Sequence, residues 1–200
     1  MSSDLPIGWI SAPLDHCVEP RSERVKPSDF KGAPYIGLEH VEPHTNKLLA
    51  TVHAETMSSS AARFYVGDVL YGRLRPYLNK VLLAPIDGLA SAEFIVLPEM
   101  GAINARFLLW RVSASDFVEF ACSQYEGDRP RVAFEKLGKF HILLPPRAEQ
   151  TRIVAKLEEL LSDLDAGVAE LKAAQRKLTQ YRQSLLKAAV EGALTAEWRD

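Results

Sequence analysis

Cysteine is scarce: Cys17 and Cys122 are the two in 200 residues, far apart and outside any Cys-x-x-Cys pair. That usage argues against a disulfide scaffold or a zinc finger and makes a reducing cytoplasm the expected compartment. Long apolar runs are missing too. None approaches the roughly 18–20 residues that a membrane-spanning helix needs. The start, Met1 to Pro6, is polar and acidic and lacks the pattern of a secretory signal. No charge sign dominates, since 24 Lys+Arg against 26 Asp+Glu give a formal net charge of -2. This counts against a protein that coats nucleic acid indiscriminately, but it leaves room for a local basic face. With 47% hydrophobic and 25% charged residues, the composition is that of a globular protein, neither disordered nor of low complexity.

Catalytic signatures are absent as well. The chain has no GxxxxGK[ST], no GxGxxG behind a strand, no GxSxG and no HExxH. It lacks the Asp/Asn-Pro-Pro-aromatic tetrapeptide of amino-methyltransferases, and its Glu-x-Lys triplet, Glu170-Leu171-Lys172, lies among C-terminal heptads rather than at a strand end. His40 and His44, near Glu39 and Glu42, are separated by Pro43 and do not share a helical face, so a polar loop is expected there rather than a metal site. Cys122 reads as a packed thiol. His141 alternates with Phe140 and Ile142 and reads as a solvent-facing or hydrogen-bonded strand residue. A stand-alone hydrolase has no support.

What is present divides near Pro145-Pro146. Before that point, glycine and proline interrupt the chain every few residues; after it, residues 147–200 contain no proline and only Gly167 and Gly192. Residues 1–146 are read as an α+β domain. Strands are expected at Phe64–Val66 and Val69–Leu74, flanking the Gly67-Asp68 turn, and at Lys80–Ala84, Glu93–Leu97 and Phe140–Leu144. Helices are expected at Ile103–Val112 and Asp116–Ser123, where Phe107, Leu108 and Val112, then Phe117, Phe120 and Ala121, recur at helical spacing.

Residues 147–200 read as one long helix that opens at the proline pair and ends near Val190, before Gly192. Leucine recurs every seven residues at Leu157, Leu164, Leu171, Leu178 and Leu185; taken as a positions, they put Leu160, Gly167, Ala174, Tyr181 and Ala188 at d. Such a stripe needs another long helix. A homodimer is expected, in which a bulky residue at Gly167 disturbs pairing more than one at Glu170.

Two segments suggest nucleic acid. Residues 63–80 read RFYVGDVLYGRLRPYLNK, and Tyr125-Glu126-Gly127-Asp128-Arg129-Pro130-Arg131 forms a second basic loop. Arginine pairs with phosphate or guanine edges, and tyrosine stacks. The candidate DNA-contacting residues are Arg73, Arg75, Tyr77, Lys80, Arg129 and Arg131; the alternative is that these arginines are salt-bridged to Asp68, Glu126 and Asp128.

Further segments carry a resemblance. They are Leu5-Pro6-Ile7-Gly8-Trp9, Tyr35-Ile36-Gly37-Leu38-Glu39-His40-Val41, Gly67-Asp68-Val69-Leu70 followed by Arg73 and Arg75-Pro76, and Ala92-Glu93-Phe94-Ile95-Val96-Leu97. Leu143-Leu144-Pro145-Pro146 leading to Glu149-Gln150 and Ile153, and the tail Gly192-Ala193-Leu194-Thr195 with Glu197-Trp198-Arg199, complete the set. Together they resemble half of a type I restriction-modification specificity subunit. The resemblance implies a non-catalytic, DNA-reading chain with one target-recognition domain and one conserved helix, where the whole family member has two of each. It further implies methyltransferase subunits that hold S-adenosylmethionine, an ATP-dependent restriction and translocation subunit, no cofactor in this chain, and a second copy or a second half-unit as helix partner. The competing expectation is a structural or regulatory coiled-coil protein without a DNA role.

Overall fold

A computed structural model describes residues 5–125 and 130–198. The chain forms two compact units, Met1–Val154 and Ala155–Asp200. The first, called the head below, contains ten strands among its described residues: β1 (Ile10–Pro13), β2 (Arg24–Val25), β3 (Pro34–Ile36), β4 (Val52–His53), β5 (Ala61–Phe64), β6 (Val69–Gly72), β7 (Val81–Leu83), β8 (Gly88–Ser91), β9 (Phe94–Leu97) and β10 (His141–Leu144). Helices α1 (Ala105–Ser113), α2 (Ser115–Ser123) and α3 (Phe134–Leu137) follow β9, and α4 (Arg147–Val190) follows β10. The strands form three sheets: β1-β10, β2-β5-β8-β3-β4 and β7-β6-β9. This is α+β with a long C-terminal helix, as the sequence indicates.

Of the strands expected on either side of Gly67-Asp68, the second exists as β6, whereas the one expected at Phe64–Val66 lies earlier in the chain, as β5, and shares only Phe64 with the expectation; the two do not pair with each other. β5 joins the five-stranded sheet through β2 and β8, and β6 joins β7 and β9. The turn between them has its own anchors. Gly67 takes a positive φ of 86° and donates its N–H to Ala84 O at 2.9 Å. The buried Asp68 carboxylate accepts Tyr65 N–H at 2.9 Å and Arg21 Nε–H at 2.8 Å. The turn is thereby fastened to the end of β7 and to Arg21, and the chain passes from one sheet to the next.

Three apolar clusters fill the head, the smallest of them around Tyr35, Ala54, Ala61 and Leu89. Ile36, Phe64, Leu70, Phe94 and Val96 pack where the five- and three-stranded sheets face each other. On the other side of β6, helices α1 and α2 bury Leu108, Val112, Phe117 and Ala121 in a cluster with Tyr71, Ile142 and Val154. Asn104 starts α1 by accepting the N–H groups of Arg106 and Phe107, at 2.9 and 3.2 Å. β3 and β8 run parallel, with Tyr35 beside Leu89 and Ile36 beside Ala90. A Cβ on Gly88 would stand 2.7 Å from Pro34 O and 2.9 Å from Phe64 Cζ. Gly88→Ala therefore destabilises the head by about 1–3 kcal/mol, read as a lower urea midpoint at unchanged slope.

The compact head ends at Val154 rather than at Pro146, because the first two turns of α4 pack into it. Gln150 is fully buried and Val154 nearly so. Gln150 accepts Asn104 N–H at 2.8 Å and donates to Ala102 O and Pro145 O at 2.7 and 2.8 Å. Arg147 pairs with Glu99 and donates to Gly101 O at 2.8 Å. Beyond Val154 the second unit continues α4 to Val190. Gly192, at φ +75°, then leads into a 3₁₀ segment, Ala193–Trp198. No helix of the described residues is long and apolar enough to cross a membrane.

Candidate nucleic-acid interface

The two basic segments, some sixty residues apart in sequence, lie side by side. Leu74 and Arg131 form an antiparallel bridge. Arg75 N–H donates to Pro130 O at 2.7 Å, and Val132 N–H donates to Arg73 O at 3.0 Å. Arg73 N–H is bound in turn by Glu93 O at 2.8 Å, just before β9. A single backbone junction thus carries Arg73, Arg75 and Arg131.

The side chains on this junction differ in what they already hold. Arg73 is half-buried and gives its Nε–H to Val132 O at 3.2 Å. Burial, and after it the charges of Arg131 and Arg24, hold its pKa below the usual arginine value. That places Arg24, on β2, in the same cationic cluster. Arg131 binds both carboxylate oxygens of Glu93, one at 2.9 Å. Lys80 gives its ammonium to Leu38 O at 2.6 Å. Arg75 is exposed, and no hydrogen bond or ion pair holds its guanidinium among the described residues. Tyr77 beside it is 46% exposed. Arg129 lies outside the described residues, as do Glu126 and Asp128.

Arg75 also has a backbone that few side chains adopt, φ 55° and ψ 63°, and Asn79 at the other end of the Pro76–Leu78 turn is similarly left-handed. Such a conformation costs of order 1 kcal/mol or more and persists where neighbours enforce it. Here the enforcers are Pro130 O on Arg75, the buried Pro76 ring, and the Asn79 side-chain amide on Ser113 O at 2.8 Å. A rigid turn therefore presents to solvent a phenol and a guanidinium that no described residue pairs. The outlying arginines of the expected patch are spent elsewhere: Arg63 meets Glu23 at 3.2 Å and lies over the rings of Phe30 and Tyr65. Arg21, which the sequence reading passed over, is committed to Asp68. Arg24 was passed over too, since an arginine in a polar stretch carries no signal until β2 pairs with β5.

Other candidate chemistry resolves into structure. His40 accepts Gly37 N–H on Nδ1 at 3.0 Å and so closes a local turn. His141 is exposed on β10, with Ser11 Oγ 3.4 Å from its Nδ1. Burial raises the thiol pKa of Cys17 and of Cys122, which disfavours the reactive thiolate. Three carboxylates are depressed among the described residues: Glu55, chiefly by Gly32 N–H, Glu99, chiefly by Ala105 N–H and next by Arg147, and Asp116, chiefly by Arg111. A depressed folded pKa adds stability above the unfolded value, and that stability is lost as pH falls through the folded one. The thermal midpoint should therefore drop as pH is lowered below roughly 4.5, and Glu99→Gln together with Asp116→Asn should flatten that slope.

On α4 the predicted seam is bare. Leu160, Leu164, Leu171, Leu178 and Tyr181 are each more than half exposed, Leu185 is exposed and Leu157 half-buried. Around Gly167 a Cβ would meet nothing within 4 Å. The helix is also polarised in charge. Residues 157–171 hold five acidic side chains and no basic one; residues 172–190 hold five basic side chains and no acidic one. This inversion is visible in the sequence once the helix is divided at its middle.

The features define a class: an α+β recognition head with a basic turn, followed by a long helix whose apolar seam is open. No protein-family profile matches the chain. It is 28% identical over 198 residues to the type I restriction enzyme EcoDI specificity subunit of Escherichia coli, covering 98% of this chain and 44% of that protein. The crystal structure of the HsdS subunit from Thermoanaerobacter tengcongensis superposes with a TM-score of 0.75 at 27% identity, over 94% of this chain and 51% of that one. A second solved chain, from a type I R-M system, shares the fold with a TM-score of 0.72 over 98% of this chain and 50% of its own. The chain is thus related to the specificity subunits of type I restriction-modification systems, and it spans about half the length of those it matches. These comparisons lend nothing to the expectation of a purely structural coiled-coil protein.

Proposed function

We propose that this chain reads one half of a bipartite DNA site as the non-catalytic specificity component of a type I restriction-modification complex. The observation that carries this reading is the Arg73–Arg75/Pro130–Val132 junction, where two distant basic segments become one edge with an open arginine and tyrosine at its tip. Methyltransferase subunits that hold S-adenosylmethionine would modify adenine, and an ATP-dependent subunit would translocate and cut; this chain contributes the address. The test is to combine the chain with methyltransferase subunits, map methylated sites, and repeat with Arg75→Ala. A base-reading arginine costs roughly 1–3 kcal/mol and relaxes one position of the site, whereas a phosphate contact weakens all sequences alike and lowers the salt slope. Robust methylation by the chain alone would refute the reading, as would Arg73→Ala, Arg75→Ala and Arg131→Ala variants that bind DNA with unchanged strength and salt slope.

The helix supports antiparallel self-pairing as the way two half-sites are read together. In parallel register the acidic half of α4 would face its own like; antiparallel, it faces the basic half. One register sets Leu157 opposite Ala188 of the second copy, Leu160 opposite Leu185, Leu164 opposite Tyr181, Gly167 opposite Leu178 and Leu171 opposite Ala174. Every layer then contains a leucine, and three match it with glycine or alanine. The flanking positions oppose Lys156 to Glu191 and Glu170 to Lys177. The midpoint falls between Lys172 and Ala173, which is also the midpoint of the helix outside the head, residues 155–190. A second half-unit in a longer chain would meet the same seam.

A further inference from the structure

A carboxylate sits inside the cationic edge. Glu93 precedes β9, and its backbone is held on both sides: its N–H donates to Ser91 Oγ at 3.3 Å, and its C=O accepts Arg73 N–H at 2.8 Å. Its side chain accepts Nε–H and Nη2–H of Arg131 and is 21% exposed, against 47% for the arginine. Those two bonds occupy one side of the guanidinium. Among the described residues no hydrogen bond holds Nη1, so the end of the fork, Nη1 with the second Nη2–H, still has donors to offer.

Arg24 stands in the same cluster without such a partner. It is opposite Ala62 on β5, and Ala62 is opposite Ala90 on β8. Directly opposed residues share a face of the sheet, and both alanines belong to the core between the five- and three-stranded sheets. β2 is the edge strand, so Arg24 emerges, exposed, at the rim of that core. Its charge and that of Arg131 both act on Arg73. The neighbouring Glu23 carboxylate is taken by Arg63 at 3.2 Å, and no hydrogen bond or ion pair holds the Arg24 guanidinium among the described residues.

The two arginines therefore suit different parts of a duplex. A free cation is drawn to phosphate whatever the sequence. A cation whose charge is offset by an adjacent carboxylate loses most of that attraction but keeps its directional donors. Held in one orientation, it also loses little freedom on binding. Its end-on fork then matches O6 and N7 of guanine. We propose that Glu93 is a specificity-determining residue: by fixing and neutralising Arg131 it makes that guanidinium a reader of a guanine edge, while the uncompensated Arg24 takes backbone phosphate. This rests on the DNA-reading function above and names two residues, Glu93 and Arg24, that shape how the site is read.

The test uses the chain combined with methyltransferase subunits. Binding is measured over a range of salt to the duplex given by methylation mapping, to its single-base variants and to a random duplex. Glu93→Gln, of nearly the same size, should strengthen binding to the random duplex and steepen its salt slope by up to about one. It should also reduce the preference for one G·C pair at least about fivefold. Arg131→Lys keeps the charge and loses the fork, and should reduce that same preference at unchanged salt slope. In an Arg131→Ala background, Glu93→Gln should leave base preference as it was. Arg24→Ala should weaken all sequences alike and lower the salt slope by about one. Site-selective binding whose base preferences survive both Glu93→Gln and Arg131→Lys overturns the assignment and leaves DNA reading intact, as does a Glu93→Gln chain weakened equally on all sequences. The absence of any site-selective binding or methylation overturns the DNA reading itself, and the assignment with it.

Discussion

Replacing Gln150 by leucine lowers the stability of the head by about 3 kcal/mol or more. The side chain is fully buried and makes three hydrogen bonds. Leucine fills similar space but leaves the Asn104 N–H and the Ala102 and Pro145 carbonyls without their partner, and an unsatisfied buried group costs roughly 1–3 kcal/mol. The loss also reaches α1, since Asn104 is its N-cap. Urea unfolding followed by circular dichroism measures the effect. Thr151→Ala, one residue on, removes an exposed contact with Arg147 O and should change stability by less than about 0.5 kcal/mol. Equal effects of the two substitutions would show that Gln150 is not the pin that holds helix to head.

Gly167→Phe should abolish pairing while leaving the single chain as stable as before or more so. In the separate chain a side chain at Gly167 meets open space, and replacing a mid-helix glycine gains up to about 1 kcal/mol of helix propensity. In the pair, the ring would collide with Leu178 of the second copy, at two symmetry-related layers. Overpacking costs roughly 1–3 kcal/mol at each, so the dissociation constant should rise by at least about a hundredfold. Glu170→Ala removes one flanking charge pair and should cost about 0.5 kcal/mol per copy at low salt. Sedimentation of the three chains decides it. A Gly167→Phe chain that dimerises like the original would mean that the helices meet on another face.

The long helix was legible because its signal repeats: five leucines at one spacing, bounded by a proline pair and a glycine, leave little else to fold. The helices α1 and α2 were legible for the same reason on a smaller scale. Strands such as β2 and β4 have two residues each, too few for any alternation, and their existence depends on partners elsewhere in the chain. The Gly67-Asp68 turn was visible, but its destination was not, because Asp68 is held by Arg21, forty-seven residues away. The site was half legible. Clustered arginines marked the right segments, yet charge pattern does not show which guanidinium is already bound to a carbonyl or to Glu93. Gln150 shows the same gap: its polarity suggests surface, and only the three buried groups around it explain its place.

The eight residues of α4 that lie within the head have a consequence for how the rest of the helix comes to exist. Starting a helix is the unfavourable step, since several residues must be fixed before the first hydrogen bond forms; lengthening it is close to neutral. The head supplies the start ready-made, with the first turn fixed by Gln150 and Arg147 and the second by Val154. Residues from Ala155 onward add to an existing end rather than nucleating anew. The seam is therefore shaped before any partner helix arrives, and the proposed pairing would be the docking of two formed helices, hastened by the attraction between their oppositely charged halves.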